Sequence, residues 1–176
     1  MSVGVSVRAA TGDDTAAINA VRDQAWAVSY REIVSDDYLD VIAAEGRPKR
    51  DPWWLAEKGC HAFVAESAGT AVGCAICGPI REARLHYTGE TYVIYVVPGR
   101  QRQGVGQQLL RVCATALRDD LHHSMVVWTF EKGFTTHFYE KMGGIRGDSK
   151  KSDIAGASYE FVAYGWDDLE TLARVT

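Results

Sequence analysis

The apolar positions of this chain change their period along its length, and each change marks a new kind of element. Val3–Ala9 alternates valine with other residues, the period-two pattern of a half-buried strand. Thr11-Gly-Asp-Asp14 then brings capping residues and early acids, and Ile18, Val21, Ala25 and Val28 follow at helical spacing. Tyr38–Ala44 predicts a second, short helix; Arg47–Pro52 interrupts the chain, and Trp53–Glu57 reads as one more turn. From His61 the period falls to two. Ala62–Glu66 and Ala71–Cys77 predict a hairpin around Ser67-Ala-Gly-Thr70, and Gly78–Gly89 predicts a polar loop. Glu90–Val97 is a strong β-branched strand. Gln107–Arg118 predicts a helix with Leu109, Leu110, Cys113 and Leu117 on its inner face. Met125–Phe130 reads as a buried strand, and Phe134–Met142 as a short helix stopped at Gly143-Gly144. Ile145–Lys150 and Ala157–Tyr164 are two last strands. With no internal repeat or linker, the order predicts one mixed α/β (α+β) domain over residues 1–176, with its core at about 5–165.

Composition narrows the class. A chain of 176 residues, 47% hydrophobic and 24% charged, has the make-up of one globular domain with a substantial core. Its net charge of −4 argues against broad nucleic-acid affinity. No stretch approaches the ~18 apolar residues of a membrane span. The start, Met-Ser-Val-Gly-Val-Ser-Val-Arg, lacks a charged head followed by an apolar block, so the expected location is the cytoplasm, where thiols stay reduced. Cys74 and Cys77 have Cys-x-x-Cys spacing, but they lie in a predicted strand, where residues three apart point to opposite faces. No second Cys/His pair accompanies them, and His122-His123 has no cysteine or carboxylate at ligand spacing. No metal is expected. Ser29 and Ser124 have no His/Asp companion at motif spacing, so hydrolase chemistry is unsupported.

The segment from Tyr92 to Leu110 carries the candidate chemistry. An apolar strand ends at Pro98, a Gly- and Arg-rich turn follows from Gly99 to Gly106, and a helix pattern starts at Leu109. Such a turn offers bare backbone N–H groups and a positive helix end to phosphate. In Gln101-x-x-Gly104-x-Gly106 the glycines let a ligand approach closely, and Arg100 and Arg102 add cations. It is not the dinucleotide fingerprint, because Leu109 holds the place of the third glycine.

Val96-Val-Pro-x-x-Gln-x-x-Gly-x-Gly106 resembles the acetyl-CoA motif of the GNAT superfamily of N-acetyltransferases. Phe138-Tyr-Glu-Lys-Met-Gly143 is similar to the later helix of that family, and Gly89–Tyr95 to the strand before its motif. Trp26-x-x-x-Tyr30 and Tyr38-Leu39 resemble a bacterial branch. The resemblance runs from about Val5 to Tyr164. It implies a mixed, mostly antiparallel sheet of about 6–7 strands flanked by about four helices, with a splayed central strand pair. It implies acetyl-CoA as co-substrate, with the pantetheine arm along Tyr95, Val96 and Val97. The pyrophosphate would lie on Gln101, Arg102, Gln103, Gly104, Val105 and Gly106. An N–H near Val96 would polarise the thioester carbonyl, and an acceptor amine would attack directly.

By the same resemblance Glu90, fourteen residues before Gly104, is the expected general base, acting through a water. It is expected to share a strand face with Tyr92 and Ile94. Tyr139 is the expected acid for the leaving thiolate. Where many relatives carry a cofactor-contacting asparagine this chain has Lys132, which can reach a carbonyl or phosphate instead. Trp26, Tyr30, Tyr38 and Tyr87 are the expected acceptor-side residues, and His137 is expected to point away from Tyr139. The acceptor is a small-molecule or peptide amine. A homodimer through the aromatic strand Tyr159–Trp166 is a possible assembly. The alternatives are a non-catalytic acyl-CoA-binding or regulatory module on the same fold and, less well matched, a Rossmann-type nucleotide binder.

Overall fold

The computed structural model describes residues 4–46 and 51–174; Val3 of the predicted first strand and Arg47–Arg50 of the predicted break lie outside them. In order, the elements are β1 (Val5–Ala9), α1 (Thr15–Ser29), α2 (Asp36–Glu45), β2 (His61–Ser67), β3 (Thr70–Pro79) and β4 (Gly89–Val96). They continue with α3 (Val105–Asp119), β5 (Met125–Phe130), α4 (Thr135–Lys141), β6 (Ile145–Ile154), β7 (Ala157–Trp166) and α5 (Leu169–Arg174). Short 3-10 turns at Gly12–Asp14, Trp53–Leu55 and Pro98–Arg100 link them.

The period-two runs pair into one seven-stranded sheet of order β1-β2-β3-β4-β5-β7-β6. Every pair is antiparallel except β4–β5, which is parallel. Both tight hairpins, at Ala68-Gly69 and Ala155-Gly156, hold positive φ at the two central residues. That turn matches the right-handed twist of the flanking strands. α3, α4 and α5 cover one face, where Leu109, Leu110, Cys113 and Leu117 pack with Met125, Val127, Tyr139 and Tyr164. On the other face Ile18 and Val21 of α1 meet Val64, Cys74 and Ile76. Beside them Trp26, Leu39, Ile42 and Phe130 form a third cluster over β5 and β7.

Most boundaries shift by one or two residues; three differences are larger. β3 runs on to Pro79, which shortens the loop to residues 80–88. β6 runs past Lys150 to Ile154: it is an exposed edge strand, and its polar residues hid a ladder that its backbone forms with β7. α5 was not predicted, because its six residues are too few to show a period. The strand expected at a dimer contact, β7, is hydrogen-bonded to β5 on one side and β6 on the other, so it has no free edge for a partner. Cys74 and Cys77 do face opposite ways, one toward the α1 side and one toward α3. Burial pushes the Cys74 thiol up to about 12, which keeps it protonated and inert. Among the described residues no helix is long and apolar enough to cross a membrane, and no group of three or more His, Cys, Asp or Glu is arranged to hold a metal.

Candidate active site

β4 and β5 stay paired for three residues only, Gly89–Thr91 against Met125–Val127, and then part. The opening between them is a cleft lined by Trp26 and Tyr30 of α1, Tyr92–Tyr95 of β4, Val127–Phe130 of β5, Thr135, Tyr139 and Phe161. The strand edge along it is open. Val97 donates its N–H to Val72 O at 2.9 Å, so Val97 and Tyr95 turn their main-chain groups toward β3. Antiparallel ladders alternate, so Val96 and Ile94 present theirs to the cleft. Of the three residues expected along the pantetheine arm, then, Val96 offers a main-chain donor there, while the amide of Val97 is taken.

The turn that follows is held from behind. Gln101 Nε2 donates to Ser29 Oγ at 2.9 Å and to Val96 O at 3.1 Å, tying the turn to α1 and β4. Gln103 Nε2 donates to Gly99 O at 3.1 Å. Both side chains therefore shape the loop. Gly104 caps α3 in the left-handed region at φ 83°, with nothing within 4 Å of where a Cβ would sit. The helix ladder begins only at Gln108, whose N–H reaches Gly104 O. Among the described residues, the amides from Arg102 to Gln107 donate to no acceptor, in keeping with the unmet first turn of a helix. Their N–H groups and the helix dipole make a cradle for an anion. Gly106 also lets α4 approach, with Phe138 at 3.4 Å from its would-be Cβ.

Glu90 is buried at 4% exposure beneath the 80–88 loop. Arg81 grips both oxygens: its N–H lies 3.0 Å from Oε2 and its Nη2 2.9 Å from Oε1. The same guanidinium sits 3.8 Å over the Tyr92 ring, so Glu90 and Tyr92 share a face. Ile94 does not. The ladder slips between Ile76, which faces Val93, and Cys77, which faces Thr91, making Tyr92 the extra residue of a β-bulge. The bulge turns Ile94 to the α3 side and brings Val93 and Tyr95 round to the α1 side.

Tyr139 is 3% exposed on α4, and burial pushes its phenol above the usual range. Its ring packs on Phe138, Tyr164 and Trp166. Among the described residues its hydroxyl has no hydrogen-bond partner. His137 on the same helix is exposed. Trp26 donates its Nε1–H to Tyr95 Oη at 3.0 Å and packs 4.7 Å from Tyr30. Tyr38 packs behind them in the third cluster, outside the cleft lining. Tyr87 stands over β7 at Gly165, where even a Cβ would come within 1.9 Å of its hydroxyl, and it too is outside the lining. Lys132 is exposed in the turn before α4.

Several cleft residues had no singled-out place in the sequence pattern. Trp128 and Phe130 follow from the alternation along β5, since Val126, Trp128 and Phe130 share a face opposite Val127. Thr129 and Thr135 meet at 2.7 Å across the β5–α4 corner. Arg81 left no sequence signal, because a loop cation gains its partner only by folding.

Residues 58–143 match the model of the acetyltransferase (GNAT) domain. Over 169 residues, 96% of each chain, the protein is 34% identical to the uncharacterized N-acetyltransferase YuaI of Bacillus subtilis. A GCN5-related N-acetyltransferase from Rhodopseudomonas palustris superposes with TM-score 0.71 at 16% identity, covering 94% of this chain and 97% of its own. YncA from Salmonella typhimurium, solved with acetyl-CoA, superposes with TM-score 0.66 at 21% identity and covers 94% of both chains.

Proposed function

The chain belongs to the GNAT family of N-acetyltransferases, and on that premise we propose that it moves an acetyl group from acetyl-CoA to a primary amine of a small molecule or peptide by direct attack. One observation carries the choice of co-substrate: an open strand edge at Ile94 and Val96 runs into a turn whose amides, from Arg102 to Gln107, have no acceptor among the described residues. The edge suits an extended amide-bearing arm and the turn suits a pyrophosphate. The bound acetyl-CoA of the Salmonella protein supports the same choice.

Acetyl-CoA supplies the activated acyl group; the chain's own residues do the rest. The Val96 N–H donates to the acyl oxygen as negative charge develops there. Glu90 takes a proton from the acceptor amine through a water, since an alkylamine attacks only when neutral. The Tyr139 hydroxyl hands its proton to the departing thiolate. Trp26, Tyr30, Phe130 and Phe161 give the acceptor a mostly aromatic wall, which suits an amine with an apolar body.

Arg81 supports a second reading of Glu90, as the pin that holds the 80–88 loop to β4. Calorimetry with acetyl-CoA tests the first claim; absence of binding at high micromolar ligand would sink it. In the base role, Glu90→Gln slows turnover roughly a hundredfold and shifts its pH dependence, with acetyl-CoA affinity retained. An unchanged profile leaves Glu90 only as the loop pin.

A further inference from the structure

Trp128 is the first residue of β5 beyond the paired stretch, which ends at Val127, so it stands where the two strands part. It lines the cleft, on the sheet face opposite Val127 and shared with Phe130. Lys150 Nζ lies 4.0 Å from the centroid of its ring, and Arg84 Cζ 5.9 Å. Both cations meet the indole through its π system, and neither can accept a proton from it. The ring N–H is buried, and among the described residues it has no acceptor.

That unmet donor is particular to this place. The other side-chain atoms buried without a partner among the described residues are Trp54 Nε1, Ser67 Oγ and Arg111 Nε, and none of these residues lines the cleft. The other indole of the cleft, Trp26, donates its N–H to Tyr95 Oη, and Trp166 donates its own to Met142 O. An indole N–H is a donor only, and a buried one left unmet is costly. A ligand oxygen that accepts it removes that cost.

The charges around the indole select the kind of oxygen. Arg81 is paired with Glu90, Arg84 with Glu82 and Asp148, and Lys150 with Glu82, so three cations meet three carboxylates. No positive charge is left over to balance a ligand carboxylate beside Trp128, whereas an uncharged carbonyl needs none.

We infer that Trp128 is a specificity-determining residue: its indole N–H binds the uncharged carbonyl of an acceptor whose amine sits on the neighbouring carbon, an α-amino amide or a peptide N-terminus. The inference rests on the proposed acetyl transfer and narrows the acceptor within it. A plain alkylamine lacks the oxygen, and a free amino acid brings a charge. The wall of Trp26, Tyr30, Phe130 and Phe161 offers the acceptor's side chain an apolar surface.

The test uses leucinamide, isoamylamine and leucine, which share one apolar body and differ in the group beside the amine-bearing carbon, together with leucyl-glycyl-glycine. Coenzyme A release is followed with each for the wild type, Trp128→Phe and Trp54→Phe. The amide's amine is less basic than the alkylamine, but equally so for every protein. The change in the leucinamide-to-isoamylamine ratio of kcat/KM on substitution therefore isolates the N–H. Trp128→Phe keeps an aromatic ring under Lys150 and is expected to lower that ratio roughly tenfold, while Trp54→Phe leaves it unchanged. A peptide source shows as faster turnover of the tripeptide than of leucinamide, and a small-amide source as the reverse; Trp128→Phe slows both. An unchanged ratio in Trp128→Phe, or an equal fall in Trp54→Phe, overturns the inference. An equal loss for leucine overturns the choice of an uncharged carbonyl. Should Trp128→Phe not fold, the wild type decides by nuclear magnetic resonance with isotope-labelled tryptophan: leucinamide moves one indole N–H signal downfield and isoamylamine does not. No such movement overturns the inference. A wild type that binds acetyl-CoA but acetylates none of these amines also overturns it. A wild type that binds no acetyl-CoA counts instead against the acetyl transfer, and the resonance measurement still decides the carbonyl site.

Discussion

Tyr139 joins two roles in one side chain. Its ring is core, packed between α3 and β7, while its hydroxyl reaches the cleft with no partner among the described residues. Removing that hydroxyl therefore costs the fold little. If it is the acid, Tyr139→Phe lowers turnover by roughly a hundredfold while acetyl-CoA affinity and melting temperature stay near wild type. Steady-state kinetics beside calorimetry would separate these, and a wild-type rate removes the acid role. Burial also raises the phenol, so the proton stays on oxygen through the neutral range and no limb from this group is expected below pH 10. Gly104 is the other residue that a single atom tests. A Cβ there meets no neighbour, so Gly104→Ala costs only the left-handed backbone, about 1–2 kcal/mol. The measurable result is a melting temperature lower by roughly 2–8 °C. A fall in acetyl-CoA affinity larger than this accounts for marks the turn as ligand-bearing; unchanged affinity would speak against it.

At the scale of elements, the entry to α1 depends on one carboxylate. Asp14 accepts the Thr11 N–H at 2.7 Å, and both its oxygens face Arg8, which also reaches Glu66 of β2 at 2.6 Å. This joins β1, β2 and the start of α1, the helix that carries Trp26 and Tyr30. The Arg8 guanidinium holds the Asp14 carboxyl well below the usual carboxylate range. A depressed folded pKa stabilises above the unfolded value near 4, and the benefit drains as pH falls toward the folded value. Asp14→Asn is thus expected to lower stability at neutral pH by at most about 1 kcal/mol, the range of a solvent-exposed ion pair. Denaturant titrations of the two proteins should converge as pH drops below about 4. A constant gap across that range would mean that the charge is not what Asp14 contributes. The bulge at Tyr92 works at the same scale: one extra residue lets β4 keep Glu90 and Tyr92 on the α1 side and still turn Ile94 and Val96 into the α3 core.

Across the whole molecule, the sheet separates two jobs. One face carries the α3 turn and Tyr139; the other carries the α1 aromatics, the 80–88 loop and Glu90. The split between β4 and β5 joins the faces. The 80–88 loop is fastened at several points, among them Glu90 through Arg81, Asp148 of β6 through Arg84, and β7 through Tyr87 over Gly165. Gly165→Ala forces the Tyr87 ring away, and is expected to cost about 1–3 kcal/mol. With the acceptor on the α1 side, as proposed, it should slow turnover with acetyl-CoA affinity held, because the displaced loop lies on that side. Kinetics and denaturation together check this; normal turnover with the expected loss of stability would mean that the loop has no part in the reaction.

Sequence alone determined the elements whose side chains repeat with a clear period. The strands β2, β4, β5 and β7, the helix α3 and the glycine turn before it are local patterns, and local patterns survive without tertiary context. The turn and Tyr139 are legible for the same reason, since the turn offers backbone donors and the tyrosine sits in a contiguous motif. Only the tertiary structure decided which main-chain groups of β4 stay open, since that depends on β5 diverging after Thr91 and on a bulge fixed by pairing with β3. Only it set Tyr38, Tyr87 and Glu90 outside the cleft lining and put Arg81 on Glu90. Those outcomes belong to contacts between residues far apart in the chain, and no spacing within one segment records them.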